Sequence, residues 1–145
     1  MHLPIGAAVL EMVKLTEEMK NEINKSRLVP LATASASGEP NVVPIGMFFL
    51  KNDETLWIVD NFMQKTLKNV LANPKVSLYV WSPEAKDSYQ IKGTVTVVTS
   101  GAELAEAKAF ADSKRPGMPT KGLLKMKITE VYSVSPGPNA GKKLL

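Results

Sequence analysis

Apolar and polar residues alternate through most of the chain after residue 27, a period of two that is typical of β-strands with one buried face. Six stretches carry this pattern, and we predict a strand in each of them: 28–35, 41–50, 55–60, 75–81, 89–98 and 124–134. Short turns at 37–40 and 51–54 join the first three strands. The pattern therefore predicts a mainly β protein with peripheral helices. Its six-stranded antiparallel sheet would close, or nearly close, into a barrel.

Two positions interrupt the alternation. Gly93 stands in the fifth predicted strand where a side chain would be expected, which indicates a bulge or the close approach of another backbone segment. In the last strand the phase slips after Ile128, so we expect a β-bulge near Thr129 and Glu130.

A helical period precedes the first strand. Leu15, Met19 and Ile23 lie four residues apart and give one apolar stripe. Thr16, followed by two glutamates, fits the capped start of a helix, where an oxygen acceptor and negative charge are both favourable. Residues 5–14 are predicted to form a further helix or turn.

Two further helices are predicted between strands. One follows the third strand, with apolar residues at 63, 67, 70 and 71, and ends at Asn73-Pro74. The other spans 101–113, where alanine and charged residues are typical of a short surface helix, and a loop rich in proline and glycine follows it. The whole chain, 1–145, is predicted to be one domain, with an N-terminal helical segment at 1–27, the barrel at 28–135 and an irregular tail at 136–145.

Composition excludes several kinds of site. The chain has no cysteine, which removes disulfides, thiolate metal sites and cysteine nucleophiles. Its one histidine is His2, so histidine-based triads and two-histidine metal sites are not expected. The early apolar run at 5–10 is far too short to span a membrane and follows no basic segment. We therefore expect a cytoplasmic protein without a membrane partner.

The net charge of +4 is compatible with a nucleic acid, an anionic lipid or a phosphorylated small molecule, and also with simple solvation. Only two arginines occur, Arg27 and Arg115, and no strip of alternating aromatic and basic residues is present. Both observations disfavour nucleic acid as a partner.

Two segments could carry chemistry. In the second strand, Pro44 removes a backbone donor and Gly46 bares the backbone, which indicates either peptide groups offered to a ligand or a kinked edge strand. At the junction of the third strand and the following helix, Lys65 and Thr66 would add a cation and a hydroxyl to the free amides of a helix start. That junction suits a phosphate monoester, although an ordinary capped helix with solvated lysines has the same residues.

Three blocks in register resemble the pyridoxamine 5'-phosphate oxidase-like, FMN-binding split-barrel family. They are the hairpin from Leu31 to Gly46, the strand, loop and helix from Trp57 to Val76 that end in Asn-Pro, and the strand that begins Tyr89-Gln-Ile-Lys-Gly93. The resemblance covers about residues 28–135.

The resemblance implies an FMN-binding split barrel that forms a homodimer, with the flavin in a groove between subunits. Tyr79 and Trp81, which share one face of the fourth strand, would suit the subunit contact. Backbone of the second strand would lie along the flavin ring, and the strand-to-helix junction would hold the phosphate. On this basis the cofactor-binding residues are Val43, Pro44, Ile45, Gly46, Val59, Asp60, Asn61, Gln64, Lys65 and Thr66.

Departures from the family narrow the function. The true oxidases begin the second strand with arginine and carry basic residues for the substrate phosphate near the C-terminus, whereas this chain has Val42-Val43-Pro44 and a tail rich in proline and glycine. The resemblance thus favours a small FMN-dependent oxidoreductase that passes hydride or electrons between a reduced donor and a small acceptor, its small-molecule redox partners. A flavin carrier without turnover, and a deazaflavin as the coenzyme, remain alternatives. Haem is disfavoured, and no side chain is assigned as catalytic.

Overall fold

The computed structural model describes residues 13–145. Most of the predicted element at 5–14 lies outside that range. Ten elements follow in chain order: α1 (Glu17–Lys25), β1 (Val29–Ala34), β2 (Pro40–Ile45), β3 (Phe48–Leu50), β4 (Thr55–Asp60), α2 (Lys65–Ala72), β5 (Lys75–Val80), β6 (Tyr89–Val98), α3 (Ala102–Lys114) and β7 (Gly122–Ser133).

The strands form one antiparallel sheet in the order β2-β1-β5-β6-β7-β4-β3. Strands β2 and β3 are at opposite edges of this sheet, yet only Gly46 and Met47 separate them in the chain. The sheet must therefore curl until its edges meet, and the chain itself closes the gap. The predicted mainly β split barrel is confirmed.

The strand count differs from the prediction because residues 41–50 form two strands. β2 pairs with β1, whereas β3 pairs with β4. The change of partner occurs at Gly46-Met47, where the Val59 amide donates to the carbonyl oxygen of Met47 at 2.9 Å. Seven strands replace the expected six, and the break creates the bend from which the candidate site is built.

The core lies inside the curled sheet, and α1 covers one end of it. Leu15, Met19 and Ile23 are all buried, as the stripe predicts. Strand β4 is buried on both faces, because its second face, with Trp57 and Val59, packs against α3. Among the described residues, no helix has the length and apolar character to cross a bilayer.

Both predicted irregularities occur at one place. Lys92 pairs with Glu130 and Gly93 pairs with Ile128, so Thr129 is the extra residue of a bulge in β7. A Cβ at Gly93 would lie 2.3 Å from the carbonyl oxygen of Lys127, a distance that no side chain could tolerate. The glycine is therefore required by the close approach of β7.

The tail folds back on the barrel. After turns at 136–141, the Ser133 amide donates to the Lys142 carbonyl at 2.9 Å and the Leu144 amide to the Val131 carbonyl at 2.8 Å. Leu144 and Leu145 pack against the core.

Candidate functional site

A cavity of about 740 Å³ lies between β2, the bend at Gly46-Met47 and the start of α2. The loop after α3 closes its third side. The side chains and backbone of sixteen residues line it: Asn41, Val42, Val43, Pro44, Ile45, Gly46, Met47, Val59, Asn61, Phe62, Met63, Gln64, Lys65, Thr66, Arg115 and Met118. Nine of the ten residues predicted to bind the cofactor are among them, and Asp60 is the exception.

Strand β2 offers the cavity a bare backbone. It is an edge strand, paired only with β1, so the polar groups on its other side face away from the sheet. Pro44 and Gly46 are exposed, and the small side chain of Pro44 and the lack of one at Gly46 leave much of the backbone beside them accessible. A Cβ at Gly46 would meet the Arg27 carbonyl oxygen at 3.5 Å and Leu28 Cδ1 at 3.6 Å, which are ordinary contact distances. The edge strand is thus also the wall of a cavity.

The start of α2 leaves its backbone donors free. Gln64 is the N-cap residue, but its side chain makes no capping hydrogen bond, and the first turn contains no acidic residue. The first amide that donates within the helix is that of Lys68, which donates to the Gln64 carbonyl at 3.1 Å. The amides of Lys65, Thr66 and Leu67 therefore have no partner within the helix. Lys65 is exposed and forms no ion pair with any residue of 13–145.

Thr66 joins the helix start to the sheet. Its side chain is buried, and Oγ1 accepts a hydrogen bond from Asn41 Nδ2 at 3.2 Å. Asn41 Nδ2 also donates to Thr33 Oγ1 at 3.1 Å, and Asn69 Nδ2 donates to the same oxygen at 3.0 Å. This polar network fixes α2 against β1 and β2.

Asp60 holds the loop before α2 instead of lining the cavity. Its residue exposure is 1%, and its Oδ1 accepts from the Met63 amide at 2.9 Å. Lys121 Nζ lies 3.7 Å from the same oxygen and donates to the Met63 carbonyl. Burial raises the pKa of the Asp60 carboxyl, although the Met63 amide and the Lys121 ammonium act in the opposite direction.

Asn61 links three parts of the site. Its side-chain Nδ2 donates to Met47 Sδ at 3.1 Å, and its Oδ1 accepts from the backbone amide of Thr120 at 3.0 Å. Thr120 has a φ of +43°, which is unusual for a β-branched residue and is held here by this contact. Asn61 therefore positions the loop after α3 against the bend.

Several lining residues were not predicted. Arg115 and Met118 reach the cavity from a loop that follows α3, and Phe62 lines it with 69% of its surface exposed. The one available signal was that Arg115, one of two arginines, begins an irregular segment rich in proline and glycine. Residues 13–145 contain no cluster of acidic residues, histidine or cysteine that could hold a metal ion.

These donors fit FMN. The volume is within the usual range of roughly 300–1,000 Å³ for small-molecule and cofactor sites. One end is lined by Lys65 and Thr66, which bring two free amides, an ammonium and a hydroxyl, a donor set for a phosphate. The other end presents apolar residues and backbone, against which a flat ring could lie.

Comparison with known proteins relates nearly the whole described chain to one family. The family model described as pyridoxamine 5'-phosphate oxidase matches residues 15–135. An uncharacterized protein of Methanocaldococcus jannaschii is 42% identical over 134 residues, which cover 90% of this chain and 88% of that protein.

Solved structures share the fold. HupZ of Group A Streptococcus has a TM-score of 0.75 and 31% identity, covering 88% of this chain and 99% of its own. An FMN-binding protein of Syntrophomonas wolfei has a TM-score of 0.72 and 22% identity, covering 82% and 85%. More distant structures, each with a TM-score of 0.64, are the haem storage protein HutZ of Vibrio cholerae (18% identical, covering 83% and 95%) and an F420 reductase (20% identical, covering 81% and 98%). The fold is thus shared by proteins whose names refer to FMN, haem and F420.

Proposed function

This chain belongs to the pyridoxamine 5'-phosphate oxidase family, and we propose that it is an FMN-binding oxidoreductase acting on a small-molecule redox partner. The observation that carries the proposal is the pairing of two features on one cavity. At one end lies a helix start whose first amides and lysine have no partner among residues 13–145, and a bare edge strand lies at the other.

Each predicted residue has a role in this proposal. Lys65, Thr66 and the amides of the first turn of α2 would hold the phosphate, with Gln64 at the helix boundary. The backbone of Val43–Gly46 would lie along the ring, and Val59 and Asn61 would shape the approach. Asp60 would act indirectly, by fixing the loop. When bound, the isoalloxazine ring would supply hydride and electron transfer, while the protein supplies binding and orientation.

Phosphate recognition also suits a deazaflavin coenzyme, which is the second candidate because an F420 reductase shares the fold. Haem is less well supported, since the cavity lining among residues 13–145 contains no histidine, cysteine or tyrosine. Of the usual axial ligands of haem, that lining offers methionine alone.

A homodimer is the second part of the proposal. Three large apolar side chains are exposed on or beside β2 and β5: Val42 at 64%, Tyr79 at 41% and Trp81, just past the end of β5, at 55%. Val42 also lines the cavity, so a partner that covers these side chains would border the flavin. Sedimentation should give a dimer, and a stable monomer that still binds FMN tightly would contradict this part.

The absorption spectrum of the purified protein, followed by mass spectrometry of the released chromophore, tests the cofactor. We expect a flavin spectrum and the mass of FMN, and the mass of a deazaflavin or a haem would contradict the assignment. Rapid bleaching by NADH or NADPH would support an oxidoreductase. A flavin that neither donor reduces would support the carrier alternative.

A further inference from the structure

The hydroxyl of Thr66 is a buried polar group on the cavity wall. The residue has 2% of its surface exposed and belongs to the cavity lining. A buried hydroxyl at a ligand site is useful only if its proton points toward the ligand, because a hydroxyl can also turn and donate elsewhere. The contacts of Thr66 decide which of these occurs.

Asn41 donates a hydrogen bond to the oxygen of this hydroxyl. Its Nδ2 group donates one proton to Thr66 Oγ1 at 3.2 Å and the other to Thr33 Oγ1 at 3.1 Å. Thr33 Oγ1 also accepts from Asn69 Nδ2 at 3.0 Å. Both protons of the Asn41 amide are therefore engaged, and the amide is held in one orientation between β1 and α2.

The arrangement leaves the Thr66 proton available. Because Oγ1 accepts from Asn41, the hydroxyl has its own proton to give, and no acceptor for it lies among residues 13–145 within hydrogen-bond geometry. Thr66 lines the cavity together with Gln64 and Lys65, so the cavity adjoins both this hydroxyl and the start of α2. A phosphate oxygen there would accept the proton in a charge-assisted hydrogen bond.

We propose that Asn41 is a positioning residue for the anion site: it holds the Thr66 hydroxyl with its proton directed at the bound phosphate. The identity of the anion rests on the proposed FMN function, whereas the coupling between Asn41 and Thr66 is a property of this network. Through Asn41, phosphate affinity depends on the pairing of β1 and β2, far from the helix in the chain.

A double-mutant cycle tests the proposal. FMN and riboflavin are titrated into flavin-free wild type, Asn41→Ala, Thr66→Val and the double variant. Asn41→Ala should weaken FMN binding by roughly threefold to tenfold, the size expected from one hydrogen bond. It should cause no further loss when Thr66 is already valine, since Asn41 acts through that hydroxyl. Riboflavin, which has no phosphate, should bind all four proteins alike.

Two further variants separate positioning from structure. Asn69→Ala removes the other donor to Thr33 and should lower stability while leaving the ratio of FMN to riboflavin affinity unchanged. Thr66→Ser keeps the hydroxyl and should restore most of the FMN affinity lost in Thr66→Val. The phosphorus NMR shift of bound FMN should move in Asn41→Ala and not in Asn69→Ala.

The outcomes distinguish this inference from the proposed function. An Asn41→Ala loss that persists in full on the Thr66→Val background, or that is equal for riboflavin, would overturn the positioning role. A wild-type protein that does not prefer FMN to riboflavin would instead overturn the phosphate site on which the proposed function depends.

Discussion

Helices α1 and α2 begin in opposite ways. At α1, Thr16 Oγ1 accepts from the Met19 amide at 3.3 Å, and Glu17 and Glu18 place negative charge at the positive end of the helix dipole. At α2, Gln64 gives no side-chain cap, and the first residue is Lys65. At α1 a side-chain cap and two acids serve the first turn, whereas no side chain among residues 13–145 caps the first turn of α2.

The difference indicates separate roles for the two helix starts, one in folding and one in binding an anion. α1 packs its apolar stripe on the core, and its cap contributes to folding alone. A lysine at the N-terminus of a helix is unfavourable unless an anion lies beside it. The start of α2 is therefore locally destabilised, and a bound phosphate would remove that destabilisation. Such local destabilisation is common at sites where function and stability compete.

The largest expected effect comes from giving α2 the charge pattern of α1. Lys65→Glu should lower FMN affinity about 100-fold or more, because a charge-assisted hydrogen bond is replaced by repulsion. The same variant should raise the free energy of unfolding by about 0.3–1 kcal/mol, since an acid now lies at the helix start. Flavin titration and chemical unfolding measure the two effects.

Lys68→Glu is the matched control for this variant. It makes the same charge change one turn later, on an exposed residue outside the cavity lining. FMN affinity should change little. Similar losses in the two variants would mean that general electrostatics, and not a site at Lys65, attracts the flavin.

The sequence predicted the local elements well, for a physical reason. Burial on one face imposes a period on the chain, and the stripe of α1, the alternation of β5 and the slip at Thr129 all follow from it. The break at Gly46-Met47 was missed because apolar residues continue through it. Only the pairing partner changes there, from β1 to β4. The identity of the neighbouring strand does not alter the alternation of apolar and polar residues, so the sequence pattern does not report it.

The candidate site was predicted where its residues are adjacent in the chain. Lys65 and Thr66 stand at a recognisable strand-to-helix junction. The contacts of Thr66 with Asn41, and of Asn61 with Thr120, join residues 25 and 59 positions apart, which local patterns do not report. Asp60 was assigned to the cofactor by its position, although its burial and its bond to Met63 give it a structural role.

A smaller effect is expected at the other helix start. Thr16→Ala removes the cap of α1 and should lower the free energy of unfolding by about 1 kcal/mol. FMN affinity should stay at the wild-type value, because this helix start is not part of the cavity. Gln64→Ala, which removes no capping bond, should leave stability almost unchanged. A stability loss in Gln64→Ala as large as that in Thr16→Ala would contradict the contrast between the helices.

The smallest expected effect concerns pH. Burial raises the pKa of Asp60 above its ordinary value of 3.8, so its contribution to stability is fully present below that value and is lost as pH rises through the folded-state pKa. Asp60→Asn keeps an acceptor for the Met63 amide and cannot ionise. It should therefore show a flatter dependence of unfolding free energy on pH above about pH 4 than the wild type does. Identical pH profiles would show that the Lys121 ammonium fully offsets burial.

The start of α2 should bind the phosphate of a flavin. Titration of flavin-free wild type and Lys65→Ala with FMN and riboflavin measures that binding. We expect Lys65→Ala to weaken FMN binding by about 10- to 100-fold, while riboflavin binds the wild type weakly and responds little to the change. Equal losses for the two ligands would assign Lys65 to the fold, and no loss for either would place it on a solvated helix face and contradict the account.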